Sequence, residues 1–154
     1  MSTYTCLKYH LIFGTQYRRP LLLKPMRPEL YAYIGGIIRD EGGNLDSIGG
    51  IDDHVHIFCG IPPRIAVSSM LRAIKASSSK WINDNRLTVS EFRWQRGFAA
   101  FSVSKSNMPD VERYIDNQEE HHNKISFEDE YRNFLIRHGI TFEEKFLFED
   151  GHSG

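Results

Sequence analysis

The sequence predicts an α+β fold of the ferredoxin-like type, an antiparallel sheet in β-α-β-β-α-β order with two helices on one face and a C-terminal helix carrying Tyr114. Three observations predict it. The stretch Asp53–Ile61 alternates side chains with period two and ends at Pro62-Pro63, as a strand does. Two runs with apolar residues at helical spacing separate strand-like runs. A further helical pattern opens at Pro109, after the last strand.

Tyr9–Thr15 reads as the first strand, followed by a basic turn at Tyr17–Pro20. Pro28 suits a helix first turn; Leu30, Ile34, Ile37 and Ile38 follow at helical spacing, and Gly42-Gly43 ends the helix. Asn44–Ile51 is a weaker strand, joined by a short link to the Asp53–Ile61 strand as an antiparallel hairpin. Val67, Met70, Leu71, Ile74, Ser78, Trp81 and Ile82 form the packing stripe of the second helix. Phe92–Lys105 reads as strand with a turn at Arg96-Gly97. The third helix runs from Pro109 roughly to Lys124. The last carries Phe127, Tyr131, Phe134 and Leu135 and stops at Gly139.

Residues 1–154 are read as one domain, and a hydrophobic fraction of 40% suits a packed core. No apolar run approaches the roughly 20 residues that span a bilayer. Met1–Thr5 lacks the basic region of a signal peptide, and Cys6 and Cys59 are the only cysteines, so a cytoplasmic protein with reduced thiols is expected. The net charge of −1 hides a segregation. Residues 64–105 carry eight Lys/Arg against two Asp/Glu, whereas residues 110–150 carry five against twelve. A basic middle points to a polyanion partner, or simply to solvated surface.

In the central strand Val55, Ile57, Cys59 and Ile61 share one face, and His54 and His56 share the other, about 7 Å apart along the strand. Two imidazoles so spaced suit a metal ion, and equally the polar face of a half-exposed strand. If the two helices cover the Val55 face, the His face is open and the third helix is the element to cap it. Tyr114 and Gln118 lie one turn apart on that helix. A phenol and an amide there read as site residues or as packing.

These motifs together resemble the single-tyrosine transposases of the HUH superfamily, the IS200-like family of small bacterial insertion sequences. Asp53–Phe58 is similar to the family's His-hydrophobic-His strand, and Ile74–Asn83 to its Lys-x-x-Ser-Ser-x-x-Trp-type helix. Trp94–Phe98 looks like the approach to its fourth strand, and Tyr114–His121 like its Tyr-Ile-x-x-Gln-x-x-His helix. The matches run in order from about Tyr9 to Leu147. One departure concerns the hinge into the Tyr helix, where Ser102-Val103 is followed by Ser104-Lys105 and the family often has Gly.

The resemblance implies cleavage and rejoining of single-stranded DNA at hairpin-bearing transposon ends, with Tyr114 as nucleophile and a 5′-phosphotyrosine intermediate. It implies a divalent metal, Mg²⁺ or Mn²⁺, on His54, His56 and Gln118, with Asp52 or Asp53 orienting an imidazole. It also implies a homodimer whose Tyr114 helix is able to serve the partner. Lys75, Lys80, Arg93, Arg96 and Lys105 are the DNA-binding candidates, with Trp94 and Phe98 near them, while Trp81 reads as packing. His121 and His122 read as solvent-facing. Two rivals stand beside this reading. One is a domesticated relative that cuts palindromic repeats. The other is a non-catalytic ferredoxin-like nucleic-acid-binding module that uses sheet-face aromatics.

Overall fold

The structure, a computed structural model, describes residues 2–148. It has strands β1 (Lys8–Gly14), β2 (Asn44–Gly50), β3 (His54–Gly60) and β4 (Ala99–Ser102). Its helices are α1 (Arg27–Asp40), α2 (Val67–Asp84), α3 (Met108–Asp116), α4 (Gln118–His121) and α5 (Phe127–Arg137). The sheet order is β2-β3-β1-β4 with every neighbouring pair antiparallel, as the predicted β-α-β-β-α-β order requires.

Alternation along β1 and β3 builds two cores. Leu11, Phe13, Val55, Ile57 and Cys59 face α1 and α2 and join Leu30, Ile34, Met70 and Ile74 in the larger core. On the other side Ile12, Ala99 and Phe101 pack with Phe127, Tyr131, Phe134 and Leu135 of α5 and with Phe148. The second face is therefore covered, not open, and α5 supplies most of its apolar cover. Every residue of β3 is buried, as fits a strand sandwiched on both faces.

Three boundaries differ from the sequence expectation. The fourth strand is four residues long, because the Arg96-Gly97 turn interrupts it. Upstream of that turn only the Thr15–Trp94 bridge remains, while Phe92 and Trp94 are core side chains. The third helix breaks at Asn117 (φ −100°, ψ 20°), a residue type that competes poorly for helical geometry. The chain then turns again after His122, and Ser126 caps α5 by accepting a hydrogen bond from the Asp129 N–H. At the other end of α5, Gly139 takes φ +67°, and Ile140 N–H bonds back to the Leu135 carbonyl, closing the helix as a Schellman turn.

The Tyr114-bearing helix sits on β2 and β3 at Gly49, opposite His56 in the sheet. A Cβ at Gly49 would fall inside contact distance of the Ile115 carbonyl oxygen. Gly49→Ala is expected to push α3 off the sheet and to cost about 1–3 kcal/mol of stability, as overpacking does. The shift of the urea unfolding midpoint measures it, and an unchanged midpoint would show that α3 gives way freely.

Candidate active site and metal centre

The sheet face away from α1 and α2 presents His10 and Ile12 from β1 beside His54 and His56 from β3. Both His54 and His56 are fully buried. A buried imidazole needs a partner for each ring nitrogen, and both have one. His54 Nδ1 lies 2.8 Å from Asp53 Oδ1, and its Nε2 lies 3.0 Å from Gln118 Oε1 and 3.3 Å from Glu130 Oε1. His56 Nδ1 lies 2.8 Å from His10 Nε2, and its Nε2 lies 2.9 Å from Glu130 Oε1. Phe127 of α5 stacks on the His54 ring at a centroid distance of 4.2 Å, which holds the ring in plane.

Glu130 is the hub of this cluster. It is buried, and its Oε1 also lies 3.0 Å from His122 Nε2. Its Oε2 accepts hydrogen bonds from the Tyr114 hydroxyl and, at 3.1 Å, from Gln118 Nε2. The Tyr114 hydroxyl also lies 3.1 Å from His121 Nε2. His122 is thus not solvent-facing: the chain reversal after α4 turns its ring inward, and the side chain is only 2% exposed. His121 stays partly exposed, at 32%, while its Nε2 reaches Tyr114.

Burial and charge set the protonation of these groups. Burial opposes ionisation of Glu130, but hydrogen bonds from His122, His54 and His56 outweigh it and hold the carboxyl well below its usual range. Burial disfavours a charged His54, yet Asp53 and Glu130 on either side raise it to about 9. His56 is lowered to about 4, because burial prevails over its Glu130 partner. His10 is lowered as well, by burial and by His56. The Tyr114 phenol is pushed up by burial and by the negative Glu130.

The donor set fits a metal ion. Ligand atoms of His54, His56, His122 and Glu130 all lie within 4.8 Å of one another, and the Gln118 amide oxygen adjoins His54. Asp53 orients His54, as expected of an outer partner. His54, His56, Gln118 and Tyr114 are brought together within one chain, so the Tyr114 helix lies against its own His pair. The Tyr114 ring also lines a surface hollow of about 310 Å³ with His10, Asn107, Arg137 and His138.

The basic candidates divide. Lys75, Arg93 and Arg96 line one groove of about 530 Å³ between α2 and the 93–98 loop, together with Arg72 and Phe98. Lys75 donates to the carbonyls of Arg96 and Gly97, which pins that loop, and burial lowers it to about 8. Trp94 is a core residue that donates to Ser78 Oγ, whereas Phe98 is 39% exposed. Lys80 is exposed and paired with Asp84. Lys105 stands apart in the 3-10 turn before α3.

The model of the family described as "Transposase IS200 like" matches residues 3–118. The chain belongs to this family. The ISDra2 transposase TnpA of Deinococcus radiodurans is 23% identical over 117 residues, covering 73% of this chain and 84% of that protein. The transposase of insertion sequence IS200 from Salmonella typhimurium is 27% identical over 117 residues, covering 72% and 76%. Among solved structures, a transposase from Deinococcus radiodurans superposes with a TM-score of 0.59 at 22% identity, covering 77% of this chain and 95% of that one. A REP-associated tyrosine transposase bound to a REP hairpin superposes with a TM-score of 0.53 at 20% identity, covering 92% and 76%. These likenesses show the fold. As a member of the IS200-like family the chain is a transposase, an enzyme that cuts and rejoins DNA. No helix among the described residues is long and apolar enough to cross a membrane. The family match ends at Gln118, so His121, His122 and Glu130 lie beyond it. Glu130 lies between Phe127 and Phe134 on the buried stripe of α5, a placement visible in the sequence as a carboxylate on an apolar face.

Proposed function

We propose that this transposase cleaves single-stranded DNA at hairpin-bearing element ends through a 5′-phosphotyrosine on Tyr114, and that reversal of the step joins strands. The observation that supports it is the convergence of the Tyr114 hydroxyl with His54, His56 and Gln118 in one cluster. The phenolic oxygen attacks phosphorus, the Tyr O–P bond forms, and the bond to the 3′-oxygen breaks, leaving a free 3′-OH. Because the phenol is held protonated, its proton must leave as the bond forms. Glu130 Oε2 accepts the Tyr114 hydrogen bond and so orients the phenol, and the departing 3′-oxygen takes up one proton as the phenol releases one, so the exchange balances. His54, His56 and Gln118 would hold a divalent ion, Mg²⁺ or Mn²⁺ in this reading, which when bound would supply positive charge to the phosphate oxygens. The surface hollow lined by Tyr114 and Arg137 is the approach for the strand.

The Lys75, Arg93 and Arg96 groove carries flanking DNA backbone, with Phe98 offered to an unpaired base. Lys80 and Lys105 add only outlying charge. A homodimer is retained as part of the proposal. In it the α3–α4 segment packs on its own sheet in the resting state and exchanges to the partner only if the segment swings out. Whether the element is mobile or a domesticated cutter of palindromes rests on the flanking DNA. The rival reading, a non-catalytic module with an open aromatic sheet face, is disfavoured by the burial of that face under α5.

The test is covalent trapping. Labelled single-stranded element ends are incubated with the protein and Mn²⁺, denatured, and resolved on a gel. A protein–DNA adduct is expected, and its absence on ends that the protein binds would refute the reading. Binding is expected to weaken with salt, with a log–log slope of about −0.7 for each phosphate contact on single strands. Arg93→Ala and Arg96→Ala, which line the groove, should each flatten the slope by roughly one contact, whereas Lys80→Ala, outside it, should leave it nearly unchanged. Equal slopes for all three variants would place the DNA elsewhere.

A further inference from the structure

We infer that His122 and Glu130, both beyond the family match, are ligands of the same ion as His54 and His56, and that this chain therefore holds a nitrogen-preferring transition ion such as Zn²⁺ or Co²⁺ far more tightly than Mg²⁺. The inference rests on the metal-assisted reading above but is tested without DNA.

Distance is the first support. His56, His122 and His54 each place Nε2 at 2.9, 3.0 and 3.3 Å from the single oxygen Glu130 Oε1. Ligands about 2.0–2.1 Å from one tetrahedral ion are about 3.3 Å from each other. Each imidazole, drawn from β3 or the turn after α4, thus stands near that spacing from Glu130 Oε1 of α5, and all four ligand atoms lie within 4.8 Å of one another.

The second support is the direction of the protons. His122 Nδ1 lies 2.6 Å from the Ile125 carbonyl, which only accepts, so Nδ1 carries the hydrogen. His54 Nδ1 lies 2.8 Å from the Asp53 carboxylate, with the same consequence. In each ring Nε2 then faces Glu130 Oε1. Any proton an Nε2 shares with that carboxylate is one a bound cation would displace, since metal binding to imidazole releases protons. Imidazoles locked by an outer carboxylate or carbonyl are the usual arrangement of metal-ligating histidines.

Ligand chemistry names the class. Mg²⁺ favours six oxygens and retains several waters, which a buried cage with three imidazoles does not offer. Imidazole nitrogen with one carboxylate suits Zn²⁺ and Co²⁺, with Mn²⁺ weaker in the same series. Because Glu130 Oε2 also accepts from Tyr114, one carboxylate ties the nucleophile to the ion's ligand shell.

The experiment is Co²⁺ titration of the chelator-stripped full chain, read by visible d–d absorption, with Mg²⁺ and Zn²⁺ as competitors. Wild type should bind one Co²⁺, lose it to equimolar Zn²⁺, and keep it in millimolar Mg²⁺. Glu130→Gln and His122→Ala should each weaken Co²⁺ binding beyond the roughly 100-fold upper cost of losing an outer partner. Far-UV circular dichroism checks folding, and Glu130→Asp, which keeps the carboxylate, should recover part of the affinity and the absorption band. Co²⁺ bound equally well by wild type, Glu130→Gln and His122→Ala would overturn the inference, as would displacement of Co²⁺ by Mg²⁺. A tight Co²⁺ site with no DNA adduct would sink the cleavage reading alone. An adduct formed with Mg²⁺ at full yield in both variants would sink the cage alone.

Discussion

Tyr114→Phe abolishes the covalent protein–DNA adduct while leaving DNA binding nearly unchanged. Only the phenolic oxygen forms the phosphodiester bond. The ring that remains keeps its edge contact with Phe134, at a centroid distance of 5.6 Å, and its place beside His56. The variant loses the hydroxyl's hydrogen bonds to Glu130 and His121, so a stability change on the order of 1 kcal/mol is expected. The decisive measurement pairs a denaturing gel for adduct with a native shift for binding, on the same labelled strand. Undiminished adduct would move the nucleophile elsewhere. Tyr131 is a poor substitute, because it is 4% exposed and packed against Phe127 and Phe148.

The scaffold was legible in the sequence because each element carries its own period. The alternation of Asp53–Ile61 separated Val55, Ile57 and Cys59 from His54 and His56, and the two cores divide along that line. The stripe Met70, Leu71, Ile74, Ser78 and Ile82 is the buried face of α2. The fourth strand is shorter than its apolar pattern because Phe92 and Trp94 are apolar for a different reason. They plug the larger core from an irregular segment, and periodicity does not distinguish a plug from a strand.

The site was legible in part. Two histidines on one strand face, and a phenol and amide one helical turn apart, mark themselves by spacing, and the family resemblance joined them. Glu130 did not mark itself, because Glu128, Asp129 and Glu130 together read as the acidic first turn that a helix N-terminus favours. Two of the three follow that rule at the surface. Glu130 alone falls three residues after Phe127 and four before Phe134, on the face that α5 buries. His122 falls inside the stretch that helical periodicity extends to Lys124, whereas α4 ends at His121. The turn after α4 that directs the ring inward depends on tertiary contact with Ile125 and Glu130, to which helical periodicity is blind.

His54→Ala and His56→Ala should each remove DNA cleavage, and the double variant should be hardly worse than either. The two rings share Glu130 Oε1 and sit at i and i+2 on one rigid strand, so losing one leaves the other without a complete site. Metal dependence should vanish with cleavage. Stability responds separately. Each ring is fully buried, and truncation leaves a cavity whose cost is of order 2–4 kcal/mol, as for other large-to-small core changes. His56→Ala also strands His10, whose Nε2 lies 2.8 Å from His56 Nδ1, in a buried position without that partner. Adduct assays therefore belong well below the unfolding temperature, with circular dichroism on the same samples. The expected pattern is a folded protein, loss of adduct by more than two orders of magnitude in each single variant, and no further loss in the double. Additive losses in the double would mean that the two imidazoles act independently. Cleavage at the wild-type rate in a folded single variant would place the metal away from β3 and leave His54 and His56 as packing residues of the second sheet face.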